Sequence, residues 1–106
     1  MAWQVIWTEA GWNDLDEVAS YIEKDSPHYA AAFVSEIRDA ARSLTQFAAR
    51  GRIVPEFRQE SVRELLVGNY RLVYQVGEST VHILGIIHGA RDLGALWERQ
   101  GRLPSL

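Results

Sequence analysis

A chain of 106 residues, 47% hydrophobic and 24% charged, has the bulk of a single globular domain with one core, and no apolar run approaches the roughly 20 residues of a membrane span. The absence of cysteine excludes disulfides and thiolate chemistry and fits a reducing cytosol, and the N-terminus has no basic region leading into an apolar stretch, so no signal peptide is expected. Net charge is −3, without the basic surplus that normally drives affinity for phosphate backbones.

Trp3-Gln4-Val5-Ile6-Trp7 is bulky and β-branched, and it reads as a short first strand. Thr8 can cap the helix that follows, with Glu9 favourable in its first turn. Trp12, Leu15, Ala19 and Ile22 fall at helical spacing, while most acids fall elsewhere, so an amphipathic helix spans about Glu9 to Lys24. Ser26 is a good N-cap and Pro27 suits the first helical position. Ala30, Phe33, Val34, Ile37, Ala41, Leu44 and Phe47 repeat at three and four, which predicts a second helix from about Pro27 to Phe47. The short connection makes the two helices an antiparallel hairpin, and its apolar stripe must cover a sheet. Ile53-Val54-Pro55 is a short edge strand or an extended link, because Pro55 removes a ladder donor. Glu56 to Ser61 reads as a polar, mobile loop.

Three runs rich in Val, Ile, Leu and Tyr come next, split by Gly68-Asn69 and by Gly77-Glu78-Ser79. Gly and Asn tolerate the positive φ of tight hairpins, so the runs predict an antiparallel three-stranded meander. A two-residue turn at Gly68-Asn69 pairs Val67 with Tyr70, Leu66 with Arg71 and Leu65 with Leu72. Alternation then puts Arg63, Leu65, Val67, Tyr70, Leu72, Tyr74 and Val76 on one face. Val62, Glu64, Leu66, Arg71, Val73 and Gln75 take the other. The third strand is apolar on both faces, which predicts a covered position, but a turn of three or four residues leaves its register open. Asp92 can cap a last helix through about Glu98 with Leu93, Leu96 and Trp97 inward, and Arg102 to Leu106 reads as a loose tail. The fold class is α+β, in one domain.

Charge is uneven along the chain. Residues 1–47 hold eight acids against three bases, and residues 48–106 hold eight arginines against six acids, so a negative helical half precedes a mildly basic sheet half. The run Arg63-Glu64, then Asn69-Tyr70-Arg71-Leu72-Val73-Tyr74, then His88-Gly89-Ala90-Arg91-Asp92 resembles toxins of the RelE/ParE superfamily of bacterial toxin–antitoxin systems. Gly51-Arg52-Ile53-Val54-Pro55-Glu56 fits the ParE branch, and the likeness spans roughly the whole chain.

The resemblance implies candidate roles. In RelE-like ribonucleases an arginine at the position of Arg71 helps hold the scissile phosphate, and one at Arg91 contacts phosphate; ParE-like toxins also carry Arg91. As a purely structural residue, Arg71 would pair with Glu64, which lies diagonally near it. RelE-like enzymes carry lysines where this chain has Val62 and Glu64, and a catalytic tyrosine where it has Trp97. Cleaving RNA through its 2′-hydroxyl needs proton transfer and stabilisation of an anionic phosphorane. Val62 supplies neither, Glu64 repels phosphate, and indole is no acid or base. His88, which some relatives pair with a tyrosine, has no such tyrosine after it. Glu56 matches loosely a carboxylate used as a base in some relatives, but reads here as a solvated loop residue.

The resemblance therefore implies a ParE-like toxin that inhibits DNA gyrase by binding, is neutralised by a cognate antitoxin in a hetero-oligomer, works in the cytoplasm and needs no cofactor or metal. Target contacts would involve Arg71, Arg91 and Trp97. The alternative is a RelE-like, ribosome-dependent mRNA endonuclease using Arg71, Arg91 and Glu64 or His88; a third reading is a degenerate toxin that only binds its antitoxin. Antitoxins of this kind wrap the toxin with a helix and an extended segment, so an apolar groove is expected at the helical hairpin or an open sheet edge.

Overall fold

A computed structural model describes residues 2–104. In chain order the elements are β1 (Gln4–Trp7), α1 (Glu9–Glu23), α2 (Pro27–Ser43), β2 (Arg52–Ile53), β3 (Val62–Val67), β4 (Tyr70–Val76), β5 (Thr80–His88) and α3 (Leu93–Gln100). The expected caps are all in place. Thr8, Ser26 and Asp92 accept from the backbone N–H of Gly11, Tyr29 and Ala95, satisfying helix donors that have no intrahelical partner.

The second helix is shorter than its apolar repeat. It stops at Ser43, where Leu44, Thr45 and Gln46 make tight bonds back to Ala41, Arg42 and Ser43. Leu44 and Ala48 stay buried through this turn, so the inward pattern continues after the helix has ended. Phe47 is exposed.

The meander belongs to a larger sheet of five strands in the order β1-β5-β4-β3-β2, with β1 parallel to β5 and the other pairs antiparallel. The β3–β4 register is the one the Gly68-Asn69 turn predicts: Val67 opposite Tyr70, Leu66 opposite Arg71, Leu65 opposite Leu72. Gly68 supplies φ 58° at the first turn position, where a side chain would be strained. β4 is the central strand.

Both faces of the sheet are covered. Leu65, Val67, Leu72, Tyr74, Val81, Ile83 and Ile86 pack under the α1–α2 hairpin with Leu15, Phe33, Ile37 and Leu44. On the opposite face Val62, Val73 and Ile87 pack with Val54, Leu93 and Trp97 under α3. No described helix is long and apolar enough to cross a membrane.

The register that alternation left open is decided by a bulge. Val73 faces Gly85 but Tyr74 faces Ile83, so Leu84 is an extra residue on β5. The slip resets the alternation, letting Ile83 and Ile86 both enter the hairpin core. Its backbone groups find partners outside the ladder. Ile83 O accepts from Thr8 N and Oγ1, Leu84 O accepts from Arg102 Nη2 at 3.0 Å, and Ile86 N donates to Asp14 Oδ2 at 3.0 Å. Arg102 also pairs with Asp14 at 2.8 Å and lies 4.7 Å over the Trp97 ring. The start of the expected loose tail is thus pinned across the sheet; the end of that tail, 105–106, lies outside the described residues.

Gly85 makes this convergence possible. A Cβ there would stand 2.6 Å from both Arg102 Nη2 and Asp14 Oδ2 and 2.7 Å from Trp97 Cζ2. Gly85→Ala is therefore expected to destabilise the fold by about 1–3 kcal/mol, the usual cost of overpacking, read as a lower urea midpoint with an unchanged slope.

Candidate functional site

Three strands and one turn bring four charged side chains together on the α3 face of the sheet. Glu64 on β3 and Arg71 on β4 share that face by alternation, two rungs apart on the ladder. Arg52 on β2 lies directly opposite Glu64. Arg71 Nε donates to Glu64 Oε1 at 2.6 Å, and Arg52 Nε donates to Glu64 Oε2. Glu56, from the turn after β2, completes the group. Arg71 Nη1 and Nη2 donate to its two oxygens at 2.9 and 2.7 Å, and Leu93 N, at the start of α3, donates to Oε2 at 3.2 Å.

Burial sets the electrostatics. The Glu64 side chain has 0% exposure and that of Arg71 only 5%, so both charges depend on each other rather than on water. The Arg71 guanidinium beside Glu56, together with its contacts to Glu64, makes Arg71 harder still to deprotonate, against the opposing effect of burial. The same contact holds the Glu56 carboxyl below its ordinary value of 4.5, although partial burial works the other way.

The remaining candidates lie elsewhere. His88 ends β5 opposite Tyr70, which packs with the hairpin core, whereas Arg71 faces the α3 side; alternation therefore puts His88 and Arg71 on opposite faces. The His88 ring meets Tyr70 edge-on at 5.3 Å, and its Nδ1 accepts from Ala90 N. Arg91 is exposed, its backbone N–H bonds His88 O, and among the described residues its side chain has no ionic or hydrogen-bonding partner. It borders a cleft of about 190 Å³ with Asp14, Tyr70, His88, Trp97 and Arg102. Trp97 has 1% exposure and is packed between Phe57 and Arg102.

Several expectations change with this geometry. Arg71 and Trp97, expected among the target contacts, are interior side chains that a partner cannot touch in this conformation. Glu56, expected in solvent, is an ion-pair partner of Arg71 and a helix-capping group. Glu64, a candidate base beside Arg71, has both oxygens engaged and no exposed side-chain surface. Arg63 donates to the Gly51 carbonyl at 2.9 Å. Asp14 and Arg102 carried no sequence signal, since the 88 positions between them are bridged only by the fold.

Chemically, the quartet has two positive and two negative side chains. It offers no surplus positive charge to stabilise a phosphorane, and both of its carboxylates are already paired with arginines. What it can do is lock β2, β3, β4 and the start of α3 in one arrangement.

A family model described as the ParE toxin of type II toxin-antitoxin systems, parDE, matches residues 5–93. Toxin RelE2 of Caulobacter vibrioides is 36% identical over 89 residues, covering 83% of this chain and 97% of that protein. Among solved structures, a chain of the chromosomal ParDE system of P. aeruginosa superposes with a TM-score of 0.67 at 24% identity, over 82% of this chain and 96% of the other. A chain of the Mycobacterium tuberculosis RelBE2 toxin-antitoxin complex gives a TM-score of 0.57 at 26% identity, over 83% and 99%.

Removing one side of the buried pair leaves the other charge stranded. Arg71→Met is expected to cost about 3–5 kcal/mol in urea unfolding, and Glu64→Leu/Arg71→Met together to be more stable than Arg71→Met alone. Because the folded Glu56 carboxyl titrates below 4.5, its contribution is complete above that pH and is lost as pH falls through the lowered folded value. The stability gap between wild type and Glu56→Gln should therefore close on acidification below about pH 4.5 and stay constant between pH 5 and 8.

Proposed function

The chain belongs to the ParE toxin family of type II toxin–antitoxin systems, and from that premise we propose that it arrests growth by binding a protein target, DNA gyrase, rather than by cutting RNA. The observation that carries this reading is the closed Arg52–Glu64–Arg71–Glu56 quartet. Where RNA cleavage needs cationic and proton-transferring side chains, this chain has a charge-neutral group in which each carboxylate is already paired with an arginine. His88 faces away from Arg71, which also argues against a shared catalytic centre.

A cognate antitoxin completes the proposal, and two of the structural relatives are themselves toxin–antitoxin systems. The exposed hydrophobics Trp12, Tyr21 and Tyr29 on the helical hairpin support that element as part of its docking surface. For the target, Arg91 is the best of the expected contacts, being exposed and, among the described residues, without an ion pair. Arg71 and Trp97 would contribute only after Glu56 or α3 had moved.

Purified toxin freed of antitoxin is expected to inhibit gyrase supercoiling, with Arg91→Ala weakening the inhibition about tenfold, the equivalent of ~1.4 kcal/mol. No inhibition at stoichiometric excess would sink the gyrase reading. New 5′ ends on messenger RNA from translating ribosomes would favour the endonuclease instead. Absence of growth arrest on induction without antitoxin would leave only an antitoxin-binding module.

A further inference from the structure

Glu56 is held in the way a protein holds a bound carboxylate. Both its oxygens face the Arg71 fork, and one also takes the N–H of Leu93 at the start of α3. A guanidinium fork and a helix N-terminus are each common anion ligands, and here they converge on one position. Glu56 differs from its partners in where it comes from. Arg71 and Glu64 belong to the central ladder, whereas Glu56 stands in the connection between β2 and β3, two residues before Arg58 in the left-handed region at φ 52°. It is also the outermost member of its pair, 24% exposed against 5% for Arg71.

Removing Glu56 from the quartet leaves Arg52 and Arg71 against Glu64 alone, a net single positive charge around a fork that would have lost its bidentate partner. We propose that the Arg71 fork and the Leu93 N–H form a carboxylate-binding site which Glu56 occupies from within as a plug, and which an acidic side chain of a partner protein enters by displacing it. Three donors meet two oxygens, one at Oε1 and two at Oε2, which suits a planar carboxylate and offers no donor to a third phosphate oxygen. The contact is autoinhibitory: with Glu56 in place, Arg71 is shielded from any outside anion. This goes beyond the choice of target, since the site belongs to the isolated chain.

The test uses small anions on the full chain without partners. In Glu56→Ala, acetate supplied several-fold above its Kd should raise Tm by roughly 4–8 °C relative to chloride at equal ionic strength, because it binds the folded state alone. Wild type, with the site filled, should show no acetate-specific rise, and inorganic phosphate should stabilise Glu56→Ala less than acetate does. Should the alanine chain fail to fold, Glu56→Ser, which keeps a short polar side chain, takes its place. A folded variant that responds to acetate no more than wild type would overturn the proposal. A larger response to phosphate than to acetate would overturn the carboxylate assignment. Failure here would leave gyrase inhibition untouched, and failure of gyrase inhibition would leave the acetate response intact.

Discussion

Glu64 is a carboxylate with no exposed side-chain surface on β3, next to the edge of a five-stranded sheet, and much of the surrounding structure answers to it. A buried charge left unpaired costs several kcal/mol, so the side chain needs a cation on each oxygen. Arg71 supplies one from the neighbouring central strand and Arg52 supplies the other from the edge. The Arg52 contact helps explain why so short a strand as β2 pairs at all. Arg71, itself nearly buried, then has two more nitrogens to satisfy, and Glu56 takes both. Glu56 in turn receives the Leu93 N–H, so the placement of α3 follows from the same chain of electrostatic demands.

A second constraint acts at the other side of the sheet. The β5 bulge frees backbone groups that the ladder cannot satisfy, and the chain answers with Thr8, Asp14 and Arg102. These come from β1–α1, from α1 and from the segment after α3. The bulge therefore joins the beginning and end of the domain, where one face of the sheet gives way to the other. Gly85 is the residue whose missing side chain leaves room for that junction.

Together these features give a sheet whose polar interior groups are spent on internal contacts. Chemistry on RNA requires charge held in reserve, pointed at a substrate and reached by water or a nucleophile. Here Arg71 and Glu64 are spent on neighbours, while the exposed features include Arg91 and aromatic side chains on the helical hairpin.

Local patterns made most of the architecture readable. The three N-caps, the helical repeats and the Gly68-Asn69 hairpin depend on residues close in sequence, and the structure has each of them. The pairing of Arg71 with Glu64 was also legible, because strand alternation and a two-residue turn leave little freedom in placing them. The end of α2 was not, since Leu44 and Ala48 keep the inward pattern in a chain that is no longer helical. Nor was the third strand's register, because one extra residue at Leu84 reverses its alternation. Glu56, Arg102 and Asp14 looked like solvated charges by composition. Their partners come from other turns and helices, up to 88 positions away, and only the folded chain brings them together. Sequence alone determined what is decided by neighbours a few residues apart; the tertiary structure decided which buried charges were satisfied, because each one's free energy depends on which distant group shares its water-free surroundings.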